Sequence, residues 1–288
     1  MIRTDSSFAF RSATKVLRRG SLAVIAGVLG ASGLDAQAPQ AVSLRIGPPV
    51  GETLRMRLDQ RVEMTGTTRN ALGDTTATVV ATLFVVSRAF VERRERDATI
   101  VLASTDSVAV SSNGADSLFI ASEALRALQG RRVRLRIAPD GATEVVGGGS
   151  GAELNAVFSQ MPATLPSTPI PVGQSWSRVM VAPLSGTTAV DGGKLQVRFT
   201  LDSLSAGGDW AHVSLHGTLS PPSSAAGQGG VMMSGTMTGG LVIDRRRGWI
   251  TEARMTYVVR SVMTPRPGAN AASVRFRMKV TQWMRAEP

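Results

Sequence analysis

Two histidines, His212 and His216, supply all the imidazole in this 288-residue chain, and both fall within one stretch, DWAHVSLHGTL. On a helix, an i, i+4 pair shares one face and could grip a metal ion. Val213, Leu215 and the glycines around them point instead to a strand. There, four residues at about 3.3 Å each hold the rings roughly 13 Å apart, too far for one ion. Carboxylates are no better placed. ERRERD (92–97) interleaves Glu92, Glu95 and Asp97 with three arginines, the composition of a solvated hairpin loop. Cysteine is absent, which removes disulfides, thiolate metal sites and cysteine nucleophiles. Neither G-x-S-x-G nor H-E-x-x-H occurs. With no constellation for acid–base, nucleophilic or metal chemistry, the chain reads as non-enzymatic, with no metal and no cofactor.

One stretch imitates a cofactor site. In EVVGGGSGAELNAVF (144–158), Gly147, Gly149 and Ala152 fit the spacing G-x-G-x-x-[GA]. A dinucleotide turn needs a buried parallel strand before it and a return strand after its helix. Here the strand before it is the second arm of a hairpin around Pro139-Asp140-Gly141, and the segment after it runs into LPSTPIP. Ser150 and Glu153 form a capping box, S-x-x-E, that starts a helix over 151–162. Leu154, Val157, Phe158 and Met161 form its apolar stripe at i, i+3, i+4 and i+7.

The elements that must position any site begin after an export signal. Residues 1–20 carry five basic groups and one acid, and SLAVIAGVLGASGL (21–34) is small and apolar, followed by DAQA. This is the pattern of a secretory signal peptide over 1–38, cut after Ala36 or Ala38. Pro39 favours Ala36. Arg18-Arg19 leaves twin-arginine export open beside the general route. Without residues 1–38, which hold five basic and two acidic groups, 27 basic and 19 acidic groups remain, a net charge of +8. An exported chain lacking cysteine, and hence a lipid-anchoring cysteine, fits a periplasmic or extracellular location.

From residue 40 onward the dominant signal is alternation with period two. TLRMRLDQRVEM (53–64) sets Leu54, Met56, Leu58, Val62 and Met64 against Arg55, Arg57, Asp59, Arg61 and Glu63. KLQVRFTL (194–201), WITEARMTYVV (249–259) and SVRFRMKV (273–280) alternate in the same way. Such segments are antiparallel strands with one dry and one wet face. ATVVATLFVVS (77–87) is apolar on both faces and predicts a strand covered on both sides, most simply by a helix. The helices at hand are 122–130 and 151–162.

The chain also resembles itself. GETLRMRL (51–58) parallels GQSWSRVM (173–180), residues 82–107 parallel 197–220, and 134–146 parallel 240–253. This predicts two β repeats in one continuous domain: 39–160 with its helix, a Pro-rich connection over 161–173, and 174–288.

The wet faces are rich in arginine, including Arg134, Arg136, Arg254, Arg260, Arg275 and Arg277. They solvate the sheet and suit contact with an anionic membrane surface. One tyrosine in the chain and no aromatic platform pattern argue against nucleic acid. The dry faces use methionine freely, at Met56, Met64, Met180, Met237, Met255 and Met278. Methionine fills cores and also lines adaptable apolar sites.

The segments LPSTPIPVGQSW and GLVIDRRRGWITEARM resemble an uncharacterised group of exported bacterial two-repeat β-sheet proteins. The pattern G-x-x-x-D-x-x-x-G-x-[ILV], met at Gly240, Asp244, Gly248 and Ile250, is also similar to the lipoprotein-carrier (Lol-type) half-barrels. The resemblance covers most of residues 45–286. It implies a curved antiparallel sheet with helices over an apolar cavity.

The expected fold is therefore mainly β: a strongly curved antiparallel sheet or open barrel from two repeats, with one or two short helices packed on it. The expected function is binding of a lipid-like, apolar or amphipathic ligand in the concave face. The residues expected to line it are Met56, Leu58, Leu154, Phe158, Phe199, Met255, Tyr257, Phe276 and Met278. The alternative is an envelope structural or interaction protein with a solid core and no ligand.

Overall fold

Period-two alternation becomes eleven strands among the described residues of the computed structural model, which are 41–70, 73–113, 129–146, 164–181, 194–220, 231–263 and 273–287, all within the compact unit 39–288. They are β1 (Thr53–Asn70), β2 (Gly73–Arg94), β3 (Thr99–Ser112), β4 (Arg132–Ile137), β5 (Thr143–Val146) and β6 (Ser175–Val181). Then follow β7 (Lys194–Leu204), β8 (Trp210–Ser220), β9 (Val231–Asp244), β10 (Trp249–Met263) and β11 (Val274–Glu287). All join one antiparallel sheet in the order β5-β4-β3-β2-β1-β11-β10-β9-β8-β7-β6. The fold is mainly β, a curved open sheet. The helix expected over 151–162, with Leu154 and Phe158, lies outside the described residues, as does the helix expected over 122–130 apart from its last two positions.

The compared halves adopt the same local geometry. Pro49-Val50-Gly51-Glu52 and Pro171-Val172-Gly173-Gln174 are each a turn closed by the N–H of the fourth residue on the proline carbonyl, at 3.3 and 3.2 Å. Each glycine sits at positive φ, 86° and 85°, where a side chain would be strained. Gly51 N–H donates to Val91 O and Val91 N–H to Glu52 O, both at 2.9 Å. Gly173 and Gln174 make the same exchange with Leu201, at 2.7 and 3.0 Å. From these turns, β1–β5 and β6–β10 each run as five strands linked in sequence.

Strand direction then fixes how the halves can meet. Five antiparallel strands begin and end running the same way. In this sheet β10, the last strand of one half, runs parallel to β1, the first strand of the other. Between β10 and β1 this is resolved by β11, which pairs antiparallel with both. Between β5 and β6 no eleventh strand intervenes, and the two are the edges of the sheet.

That open side is bridged by other means at one end. Residues 41–47 cross it as an extended strap. Val42 exchanges backbone hydrogen bonds with Ile170 (2.8 and 3.0 Å), Ile46 N–H reaches Pro139 O, and Gly47 N–H reaches Gly248 O. Leu165 ties the two edges together. Its N–H and that of Thr164 donate to Asp140 O in the β4–β5 turn. Its carbonyl accepts from Arg178 of β6 at 2.6 Å, and Thr164 O accepts from the Trp176 indole at 2.8 Å. The Leu165 side chain has no exposed surface. The buried cluster thus gathers Val42, Leu44 and Ile46 of the strap, Val91, Val101, Leu135 and Ile137 from one wing, and Leu195 to Ile243 from the other. Side chains from both wings meeting in one core identify the face that carries them as the inner, concave face.

Close backbone approach lets β9 carry this curvature. A Cβ on Gly235 would lie 2.7 Å from Val258 O, and one on Gly239 would run into Arg254 O and the Met255 backbone. Gly239→Ala is expected to cost about 1–3 kcal/mol by forcing β9 and β10 apart. Leu165→Ala is expected to cost about 2–5 kcal/mol, because it empties the point where both edges meet. Urea unfolding followed by tryptophan fluorescence measures both, and a change below about 0.5 kcal/mol in either would contradict the assignment.

Candidate functional site

The register aligns the inner-face residues in rows that cross the sheet. One row runs Leu83, Gln60, Gln282, Met255, Gly239, Leu215, Phe199, Trp176. The next, away from the strap, runs Ala81, Val62, Val280, Tyr257, Met237, Gly217, Val197, Arg178. Beyond it come Val79, Met64, Met278 and Val259, then Ala77, Gly66, Phe276 and Ser261. Two kinds of surface result. Over β7 and β8 the rows are closed: Leu195, Val197, Phe199, Leu201, Val213 and Leu219 are buried. Over β1, β2, β10 and β11 the same face stays apolar, but its side chains are half-buried, and Met64 is 39% exposed.

Met56, Leu58, Met255, Tyr257, Phe276 and Met278 all lie on this face of three adjacent strands. Met56 is buried beside the strap end and accepts the Trp249 indole N–H at Sδ, 3.4 Å away. Leu58, Met255, Tyr257 and Met278 occupy the middle rows, and Phe276 lies over Gly66, its register partner. Phe199 is on the same face but in the closed wing. It is 1% exposed and stacked on Trp176 with ring centroids 5.4 Å apart. Leu154 and Phe158 lie outside the described residues.

The polar groups within this apolar surface are few. Gln60 and Gln282 are register partners. Tyr257 donates its hydroxyl to Met255 Sδ at 3.3 Å, and burial pushes the phenol pKa up. Arg178, in the closed wing, has a buried Nε without a hydrogen-bond partner. Sequence reasoning missed the strap as a wall of this space. The alternation of Val42, Leu44 and Ile46 against Ser43 and Arg45 was the available signal.

The outer face differs in kind. Arg134 Nε meets Glu92 at 2.7 Å, Arg136 meets Asp97 and Glu95, and Arg61 meets Glu63 at 2.8 Å. The strand expected to be covered on both faces, 77–87, has Phe84 and Val86 outward, opposite Asp59 and Arg57. The Arg57 guanidinium lies 4.5 Å over the Phe84 ring, so among the described residues a guanidinium provides cover there. An open groove of about 460 Å³ runs between Phe84 and Trp283, past Asp59, Arg61 and Thr82. The Trp283 ring bordering it is already flanked by Arg254 and Arg285, at 4.7 and 4.3 Å. His212 and His216 point outward from β8, opposite Ser203 and Arg198, and no trio of metal-binding side chains forms among the described residues. β5, ahead of the glycine cluster, is an antiparallel edge strand and not the buried parallel strand of a dinucleotide site.

Residues 149–250 are similar to a family of unknown function, DUF6263. No curated protein matches the chain. Among solved structures, the COG4313 outer membrane channel from Pseudomonas putida F1 aligns at 9% identity and a TM-score of 0.20, over 84% of this chain and 97% of that one. A Vibrio parahaemolyticus domain named for outer membrane lipoprotein sorting aligns at 10% identity and a TM-score of 0.14, over 80% and 85%. At these scores neither likeness bears on what the chain does.

Tyr257 is the single tyrosine of the chain, so its ionisation can be read without overlap. Phenolate absorbance should titrate above the ordinary value of about 10 in the folded protein and return to it in urea. The neutral phenol is favoured by folding, so its contribution to stability is complete below about pH 10 and is lost as pH rises through the raised value. An unshifted midpoint in the folded state would show the ring to be open to water.

Proposed function

We propose that this chain is an exported cell-envelope protein that binds an apolar or amphipathic, lipid-like ligand along the inner face of β1, β10 and β11, without catalysing a reaction. One observation carries the reading. The inner face continues as a largely apolar surface past the closed core, through Leu58, Val62, Met255, Tyr257, Val280 and Met278, broken by the Gln60–Gln282 pair, and these side chains are half-buried where those of β7 and β8 are sealed. A concave surface of flexible thioethers and branched aliphatics accommodates an acyl chain without demanding one shape. The Gln60–Gln282 pair and the Tyr257 hydroxyl offer a few polar contacts along it, as an amphipathic ligand requires. The export signal and basic character read from the sequence fit the same setting.

Titration with a fluorescent fatty acid or lysolipid should give saturable binding, and solvent extraction of the purified protein should release lipid. Met255→Asp with Met278→Asp sets charges into the apolar surface and should weaken binding at least about tenfold. The outward Thr281→Asp should leave it unchanged. The fully packed β7–β8 wing, with Phe199 locked against Trp176, favours a second reading, a solid-cored structural protein. Absence of both saturable binding and extractable lipid would select it.

A further inference from the structure

We infer that the outer face at the end of the sheet away from the strap is a docking surface for anionic lipid headgroups, built from Arg260 of β10 and Arg275, Arg277 and Lys279 of β11. This goes beyond the proposal of an inner-face ligand and does not depend on it. The four side chains are exposed and share the outer face of two neighbouring strands. Arg260 stands directly opposite Arg277, and Arg275 and Lys279 flank that pair along β11 at the two-residue spacing, about 7 Å on either side. Like charges directly opposite one another on a sheet destabilise it.

Elsewhere on the outer face arginines also stand opposite one another, at Arg55–Arg88 and Arg57–Arg285, but there acids lie beside them. At Arg55, Arg57, Arg61, Arg88, Arg134, Arg136 and Arg254 the cation is paired with a carboxylate. None of the four has an ion pair with an acid among the described residues. The acid that faces the cluster in the register is Glu63, opposite Lys279 on β1. It is already engaged by Arg61, whose hydrogen bond is the first cause of its lowered pKa, while Lys279 and Arg277 add only a weaker pull. On the far side of Glu63 the face turns to hydroxyls, with Thr65 bonded to Thr78 and Thr67 to Thr76. No acid among the described residues neutralises the cluster, so solvent ions or an anionic partner supply its counter-charge.

Chemistry around the cluster selects a lipid surface as its source. Val258 and Val262 interleave with the cations on the same outer face. On the opposite face of the same end, Met64 and Met263 are 39% and 45% exposed. Cations interleaved with half-buried valines, at an end of the sheet whose other face exposes methionine, match the boundary between headgroups and acyl chains. No aromatic ring stacks beside the cluster on this outer face among the described residues. Trp283, the nearest one along β11, is held between Arg254 and Arg285. A nucleic-acid surface would offer rings for the bases.

Co-sedimentation with vesicles tests the assignment. The protein should bind vesicles of phosphatidylcholine with an equal part of phosphatidylglycerol at about 0.1 M salt, release at high salt, and ignore phosphatidylcholine alone. Each basic group at such a surface contributes about fivefold, so R260Q/R275Q/R277Q/K279Q should lose roughly a hundredfold or more. R45Q/R96Q/K194Q/R198Q, which removes the same charge from elsewhere on the surface, should stay within about fivefold of the parent. R260K/R275K/R277K keeps the charges and should keep binding, which separates electrostatics from any loss of fold. Equal losses in the two glutamine variants, or binding indifferent to phosphatidylglycerol, would overturn the inference. So would a single-stranded oligonucleotide that binds the parent more tightly than vesicles and is lost with the cluster.

Discussion

Strand direction at the two junctions governs this molecule. Each half is a run of five antiparallel strands, and β10 and β1 point the same way, so direct contact between them would bring parallel strands together. Parallel neighbours pair less favourably than antiparallel ones and cannot be joined by a tight turn. The chain adds one strand, β11, and this satisfies the junction between β10 and β1 with twelve or more paired positions on each side. The junction between β5 and β6 receives no such strand. It is held near one end by the strap and by Leu165, whose backbone joins the β4–β5 turn to Arg178. The sheet is sealed where those segments lie; away from them the β7–β8 wing stays closed, whereas β1, β10 and β11 expose Met64 and Met263 on the inner face.

The pleat separates this inner surface from a charged exterior without any further device. Because alternate side chains face opposite ways, one strand can carry Arg57 and Asp59 as an outward pair while Met56 and Leu58 face the core. The same along-strand pairing recurs at Arg61–Glu63, Arg93–Glu95 and Glu252–Arg254. Exposed pairs of this kind contribute little stability individually. Their effect is to keep these arginines neutralised where strands lie close together, a relief that the cluster on β10 and β11 lacks among the described residues.

Much of this was legible in the sequence, for a physical reason: alternation is a local property. It gave the strands, their dry and wet faces, and the hairpins at 134–146 and 240–253. The two glycines that open β1 and β6 were visible too, since only a turn needing positive φ demands them there. What was not legible depends on contacts distant along the chain. Nothing local in 274–287 says that β11 pairs with β1, some 200 residues earlier. Phe199 alternates as Met255 does, yet it is locked in the closed wing because Trp176 arrives from β6. The bulge between Ile250 and Glu252, which shifts the pairing of β10 with β9 by one residue, is equally silent in composition. Two apolar faces at 77–87 suggested a helical cover; the expected helices lie outside the described residues, and on the outer face a guanidinium from the neighbouring strand covers Phe84.

The glycines of β8 and β9 explain why the two wings differ. Gly217 is a hole in the inner face: a Cβ there would meet Met237 at 3.1 Å and Leu195 and Val197 at 3.3 Å, so those three side chains have already filled it. Gly235 and Gly239 bring β9 close against the β10 backbone. Small residues thus draw the β7–β9 side inward until its own side chains close the interior. On β1, β2 and β11 the equivalent rows carry Val62, Leu83, Met278 and Val280, with full side chains in place of glycine, and a glycine filled by its neighbour appears only farther out, at Gly66 under Phe276. These strands keep an apolar surface that their own wing does not consume. Any ligand on the inner face would therefore rest against β1, β10 and β11, and leave the Phe199 wing as the rigid wall behind it.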